Sequence, residues 1–206
     1  MPIKILAKNI RKISCSFKKK ENLLLKLIYK FAENRSQQTL EQIQPYLQGK
    51  ILDIGMGSGT TSRCLKKEGY RVVGIDIEDL SIYPNLKPII YDGSKLPFTT
   101  NEFDTALLIC VLHHCGSNRV RVLKEAKRVA KRVIIIEDTY RNLPEKAIVS
   151  FNDMLLNFEF FKHPYWRSDK LKKLINENCW KLIYSKEHSQ FSYGLFYGHY
   201  CLLAIE

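Results

Sequence analysis

The chain has 206 residues, which is enough for one substantial domain but too few for two comfortable ones. Hydrophobic residues make up 45% of it, so it can bury a sizeable core, and bulk disorder is excluded. No apolar run approaches the roughly 18 residues of a membrane-spanning helix, and a secretory leader is not expected. The formal net charge is +12, and the first thirty residues hold nine lysines and arginines against one acid.

The first twenty residues are basic and carry one apolar stripe. Apolar side chains recur there at spacings of three and four, which is typical of an amphipathic helix: Ile3, Leu6, Ile10, Ile13 and Phe17. Three roles fit this pattern, namely packing on the domain with a solvated basic face, lying in a membrane surface, or contacting nucleic-acid phosphates. We therefore expect a basic amphipathic helical extension over 1–35 and the main domain over 36–206.

A buried strand predicted over 50–55 leads into a turn with glycines at alternate positions, Gly55, Gly57 and Gly59. Glycine permits positive φ and close approach of a ligand, and the helix predicted over 59–68 would direct free N–H groups toward that ligand. The alternative is a tight strand-to-helix turn without a ligand. A dinucleotide fingerprint would need a third glycine where Thr60 stands, so a nicotinamide oxidoreductase is disfavoured.

Acidic and polar residues follow the next predicted strands. The strand over 71–77 contains Asp76 near its end, about 20 residues after the glycine turn, where a carboxylate can accept from both ribose hydroxyls of a nucleotide. A third strand over 87–91 leads into Asp92, and a fourth over 103–111 leads into His113 and His114. Alternation with helices predicts a parallel sheet with right-handed crossovers.

The last third of the chain changes in character. Residues 143–166 are rich in aromatic side chains and too long for an ordinary loop, so we expect a lid-like insertion. A helix over 168–178 and two strands over 180–186 and 195–205 should complete the sheet. The six cysteines lack C-x-x-C spacing, which favours reduced thiols in a cytoplasmic protein and predicts no metal site.

Four motifs in this order resemble the type 11 branch of class I S-adenosylmethionine (SAM) dependent methyltransferases. They are D-x-G-x-G-x-G at 53–59, the strand ending at Asp76, D-x-x-x-L-P-F…F-D at 92–104, and L-x-E-x-x-R-V at 123–129. Ala130-Lys131 stands where the family usually has a proline-glycine-glycine turn. The resemblance implies an α/β Rossmann-like, doubly wound sheet of seven strands in order 3-2-1-4-5-7-6, with the last strand antiparallel. It also implies helices N-terminal to this sheet.

The resemblance also implies a site for SAM and its product S-adenosylhomocysteine (SAH). Asp53 would order the turn and the ammonium end of the cofactor, Asp76 would bind the ribose, and Asp92 would accept from the adenine amino group. The predicted cofactor-binding residues are Asp53, Gly55, Gly57, Gly59, Asp76, Ile77, Asp92, Gly93 and Cys110.

His113 and His114 are the candidate catalytic residues, because they follow the fourth strand at the pocket mouth and histidine titrates near neutral pH. The alternative is that one or both are structural or face solvent. Methylation of DNA-base amino groups is disfavoured, since residues 109–114 lack the N/D-P-P-Y/F motif of that class.

The sequence thus predicts an enzyme of the EC 2.1.1 class that methylates a small apolar or aromatic acceptor by in-line displacement. An RNA methyltransferase that uses the basic N-terminus and a non-catalytic SAM-binding module are the alternatives. We expect a cytoplasmic location, with peripheral membrane contact through residues 1–20 as a further interpretation.

Overall fold

Strands and helices alternate along the chain. The strands form one sheet, and helices cover both of its faces. The computed structural model describes residues 23–157, 165–192 and 196–206. The strands are β1 (Lys50–Ile54), β2 (Arg71–Asp76), β3 (Ile89–Ile90), β4 (Phe103–Ile109), β5 (Ala130–Tyr140), β6 (Trp166–Arg167), β7 (Leu182–Ser192) and β8 (Phe196–Ile205). The α-helices are α1 (Leu23–Ile43), α2 (Thr60–Lys67), α3 (Arg119–Val129), α4 (Leu143–Asn157) and α5 (Ser168–Glu177), and two 3₁₀ segments cover Gln44–Tyr46 and Leu112–Asn118.

The strand order is β3-β2-β1-β4-β5-β8-β7, and β6 pairs with β5 beside this path. Strands β1 to β6 pair in parallel, whereas β8 runs antiparallel to both β5 and β7. This confirms the predicted Rossmann-like topology, because the two-residue β6 only shifts the numbering of the last two strands. The direction of winding reverses between β1 and β4, so the crevice beyond their carboxyl ends is the expected ligand site.

The two faces of the sheet bury alternate side chains of each strand. Leu52 and Leu108 pack toward α3 and α5 on one side, and Ile51 and Leu107 pack toward α1 and α2 on the other. All four side chains are fully buried. Near-continuous apolar strands of this kind are typical of parallel sheets covered on both faces.

Three predicted elements differ from the structure. The sequence predicts two separate helices before β1, over 21–31 and 39–47, whereas the structure has one continuous helix, α1, which runs across the predicted boundary at 35/36. Strand β3 has two residues instead of five, because Pro88 immediately precedes it and lacks the N–H that a longer ladder would need. Residues 143–157 of the predicted insertion form α4, whereas 158–164 lie outside the described residues, as do 1–22.

Within the part of the chain that the structure describes, no helix combines the length and the hydrophobicity needed to cross a bilayer. The amphipathic helix predicted over residues 1–20 lies outside that part. The separate N-terminal extension and the lid-like role of 143–166 both stay predictions.

Candidate cofactor site and active site

The turn between β1 and α2 presents bare backbone. Gly55, Gly57 and Gly59 have φ values of 72°, 54° and 79°, which side-chain-bearing residues rarely adopt. A Cβ at Gly55 would lie 2.7 Å from Cγ2 of Val111, so packing also excludes a side chain there. Among the residues that the structure describes, a Cβ at Gly57 would meet only the Gly55 carbonyl oxygen, at 3.8 Å, so these residues leave open space beside this peptide.

Asp76, at the end of β2, ties its carboxylate to this turn. The Gly57 N–H donates to Oδ2 at 2.8 Å, and the Ile77 N–H donates to Oδ1 at 2.7 Å. Burial raises the pKa of Asp76, while these N–H groups oppose the rise. A carboxylate offers about four acceptor positions, and the N–H groups of Gly57, Ile77 and Glu78 use three, so one position stays for a ribose hydroxyl.

Beyond Asp76, the structure brings Ile77 and Gly93 together. A Cβ at Gly93, which has a φ of 77°, would lie 3.2 Å from Cγ2 of Ile77. The Ile77 side chain is 59% exposed, which is unusual for an apolar residue so close to a buried strand. Ser94 donates to the neighbouring Asp92 from both its hydroxyl and its N–H, and these bonds lower the pKa of Asp92. An exposed apolar side chain beside an ionised acceptor suits a purine base.

Asp53 lies under the turn and is buried. Its Oδ2 accepts from the Ser62 hydroxyl at 2.7 Å, so the carboxylate joins β1 to α2. Burial raises the pKa of Asp53 to about 6, although the Ser62 bond opposes the rise. The residue therefore braces the turn from inside.

We expect Asp53 to make stability pH-dependent. Its folded-state pKa lies above the ordinary value of 3.8, so the unfolded chain releases this proton at lower pH than the folded chain does. Relative to Asp53→Asn, the free energy of unfolding should therefore fall, by on the order of 1–3 kcal/mol, as pH rises from about 4 to about 6. Urea unfolding of both proteins across this range measures the difference.

Glu102→Gln is the matched control, because its hydrogen bonds lower the pKa of Glu102 and predict no such fall. A difference between wild type and Asp53→Asn that stays constant or grows with pH would show that the Asp53 assignment is wrong.

After β4, the backbone turns sharply at Cys110, whose φ is 54° and whose N–H donates to the Ile136 carbonyl at 2.7 Å. The 3₁₀ segment that follows places the two adjacent candidate histidines in different environments. His113 is 2% exposed, and its Nδ1 contacts the Glu137 carboxylate, whereas His114 is exposed. Their rings lie 4.0 Å apart. The general-base role stays a prediction, and of the two only His114 presents its side chain to solvent.

Glu137 on β5 was not among the predicted site residues. It is fully buried, and it accepts from the backbone N–H groups of Leu112 at 2.9 Å and His113 at 3.3 Å, besides contacting the His113 ring. The Glu137 carboxylate therefore fixes the chain after β4 against β5. The only sequence signal is an acid that follows the apolar run at 133–136.

Two residues of the predicted motif at 123–129, Glu125 and Arg128, bind the L-P-F segment. Arg128 donates to the carbonyl oxygens of Phe98 at 2.8 Å and Leu96 at 3.0 Å, and it pairs with Glu125 at 2.7 Å. Glu125 in turn accepts from the Leu96 N–H at 3.0 Å. The pair holds the L-P-F segment against α3, and it thereby positions the loop that carries Asp92.

The glycine turn, Asp76 and the Ile77–Gly93 contact all lie at the carboxyl edge of the parallel strands. Together they fit an adenosyl group, because the open space at Gly57, a tethered carboxylate and an exposed apolar face occur side by side. Within residues 23–157, 165–192 and 196–206, no group of three histidines, cysteines or acids could hold a metal ion.

The fold is that of solved structures named as SAM-dependent methyltransferases. Residues 52–134 match the family model described as a methyltransferase domain, which confirms the predicted resemblance over that part of the chain. This family match, together with the fold, implies SAM as the cofactor, SAH as its product and an enzyme of the EC 2.1.1 class.

Three known proteins define the extent of the similarity. A demethylmenaquinone methyltransferase from Corynebacterium kroppenstedtii is 31% identical over 97 residues, 45% of this chain and 42% of that protein. A SAM-dependent methyltransferase structure from Methanosarcina mazei has a TM-score of 0.62 at 22% identity, covering 79% of this chain and 95% of that one. The [4+2]-cyclase SpnF has a TM-score of 0.62 at 14% identity, covering 84% and 80%.

The chain spans less than half the length of the curated relatives that it matches. The fold is also shared with a protein named as a cyclase, so the fold by itself does not define the reaction.

Proposed function

We propose that this protein transfers a methyl group from SAM to a small apolar or aromatic acceptor by in-line displacement. The observation that carries the proposal is the bare turn at Gly57, bonded to the Asp76 carboxylate at 2.8 Å. The residues that would hold the cofactor are those predicted from the sequence: Asp53, Gly55, Gly57, Gly59, Asp76, Ile77, Asp92, Gly93 and Cys110.

SAM supplies a methyl carbon already activated by a positive sulfur, so the protein needs little covalent chemistry. The residues at the carboxyl edge of the sheet must orient the acceptor and exclude water, and such positioning can lower a barrier by roughly 7–11 kcal/mol. Where the acceptor atom bears a proton, a general base adds about 10²–10⁴-fold. The exposed His114 suits that role, and the buried His113 suits positioning of the segment that carries it.

Two observations support an apolar or aromatic acceptor. The relatives named as demethylmenaquinone methyltransferases act, by name, on a quinone. Residues 143–166 carry many aromatic side chains close in sequence to the carboxyl edge of β5. A cytoplasmic location, with peripheral membrane contact through residues 1–20, belongs to the same proposal.

The test uses the full chain with SAM that carries a tritium-labelled methyl group, together with lipid, small-molecule and RNA fractions of the source cells. We expect label in the lipid or small-molecule fraction. Label in RNA would favour the alternative of an RNA methyltransferase, for which the basic first thirty residues argue. SAH binding without transfer to any fraction would favour a non-catalytic SAM-binding module.

A further inference from the structure

A second cavity of about 440 Å³ lies at the carboxyl end of β5 and β6 and is lined mainly by cations and aromatic rings. Its cations are Arg119, Arg167, Lys170 and Lys173, and its only lining acid among the described residues is Glu177. We call this cavity the basic groove. We propose that it binds an anionic group of the methyl acceptor, while the aromatic side chains stack on a planar part of the same molecule. This inference rests on the proposed function.

Two cations of the basic groove pair with acids at the protein surface. Arg167 pairs with Asp169 at 3.2 Å and Lys173 with Glu177 at 3.7 Å, but all four side chains are more than half exposed. Such surface pairs contribute about 0–1 kcal/mol, so they compete weakly with a ligand for the cations. A ligand with a carboxylate, sulfonate or phosphate would contact several positive groups at once and be attracted by their charge. A neutral molecule would not gain this attraction.

The aromatic rings of the groove are held in place by their neighbours. The Arg119 guanidinium lies 4.8 Å from the centroid of the Trp166 ring, a cation–π contact that fixes its plane. Trp166 is only 9% exposed, and its indole N–H finds no hydrogen-bond acceptor in the described part of the chain. A buried indole donor normally has a partner, and this one, enclosed in the wall of the groove, lacks one among the described residues.

The position of the groove connects it to the proposed active site. Tyr140 ends β5 and lines the groove, so the groove lies at the same edge of the parallel sheet as the glycine turn. Tyr165, another lining residue, stacks on the His113 ring at 5.4 Å, and His113 contacts His114. A molecule anchored by its anionic group would therefore lie beside Tyr165, which is connected through His113 and His114 to the end of β4. The groove thus selects planar, acidic acceptors over neutral ones of the same size.

The test compares two probes that share one ring system, 1-anilinonaphthalene-8-sulfonate and the uncharged N-phenyl-1-naphthylamine. Fluorescence titration of the full chain, saturated with SAH, should give at least about fivefold tighter binding of the sulfonate. The double variant Lys170→Ala/Lys173→Ala should weaken sulfonate binding by about fivefold and leave the neutral probe unchanged, since two exposed charges contribute about 1 kcal/mol together. Added salt should weaken only the sulfonate.

Lys66→Ala/Lys67→Ala on α2 is the matched control, because it removes the same charge from outside the groove. Equal binding of the two probes, or equal losses in the two double variants, would overturn the inference. A parallel calorimetric titration with SAH separates this from the proposed function. If SAH binds but the two probes bind equally, only the basic-groove proposal is refuted. If SAH does not bind, the basic-groove proposal and the proposed function are both refuted.

Discussion

Replacement of Asp76 by alanine should raise the dissociation constant of SAH at least about tenfold. The variant loses the acceptor for the ribose hydroxyls, and charge-assisted hydrogen bonds are worth about 1.5–3 kcal/mol each. It also frees the Gly57 N–H, which donates to Asp76 at 2.8 Å and so holds the turn. Because 1.4 kcal/mol corresponds to about a tenfold change in affinity, the loss of a single such bond is measurable by isothermal titration calorimetry.

Two further variants make this result specific. Asp76→Asn keeps the shape and one acceptor oxygen but loses the charge, so its affinity for SAH should lie between those of wild type and Asp76→Ala. Glu102→Gln removes an acid at the opposite edge of the sheet, where Glu102 pairs with Lys50 at 3.2 Å, and it should leave SAH binding unchanged. If Asp76→Ala binds SAH as tightly as wild type does, the cofactor site is assigned to the wrong residues.

Glu137→Ala should lower the free energy of unfolding by about 3–5 kcal/mol, since it removes the shared acceptor of several buried hydrogen bonds. The carboxylate is the acceptor for the N–H groups of Leu112 and His113 and for the His113 ring, inside a region without access to water. Alanine would leave all three donors buried without this acceptor. Urea denaturation, followed by circular dichroism, measures the loss.

Glu137→Gln retains a single acceptor oxygen of similar shape and should lose clearly less stability than Glu137→Ala. Glu177→Ala, at an exposed position on α5, should stay within about 0.5 kcal/mol of wild type. A Glu137→Ala protein with wild-type stability would mean that the chain after β4 is held by other contacts.

The strands and the glycine turn could be predicted because local signals define them. The mostly apolar run at 51–54 ends at a glycine, the apolar run at 133–136 is bounded by charged residues, and three alternating glycines have no purpose inside a strand. The sequence predicts two helices in place of α1, because the polar run at 33–39 interrupts the apolar pattern of this stretch. The fold keeps it continuous by burying Ser36, Leu40 and Ile43 further along the same helix.

The site was only partly predictable, for a related reason. Asp76 and the glycine turn share a β-α-β unit of known spacing, so their contact follows from sequence. Glu137 on β5 and His113 in the 3₁₀ segment after β4 are 24 residues apart, and only the register of β4 against β5 brings them together. The same register buries His113 and leaves His114 exposed, a distinction that two adjacent identical residues cannot reveal. Likewise, the basic groove gathers residues from α3, β5, β6 and α5.

A crystal structure of the full chain with SAH would test the central claim most directly. The account predicts the ribose hydroxyls of SAH at the Asp76 carboxylate, with the backbone of Gly55 to Gly59 alongside the ligand. Electron density for SAH at any other surface, or side chains that fill the space beside Gly57, would contradict it.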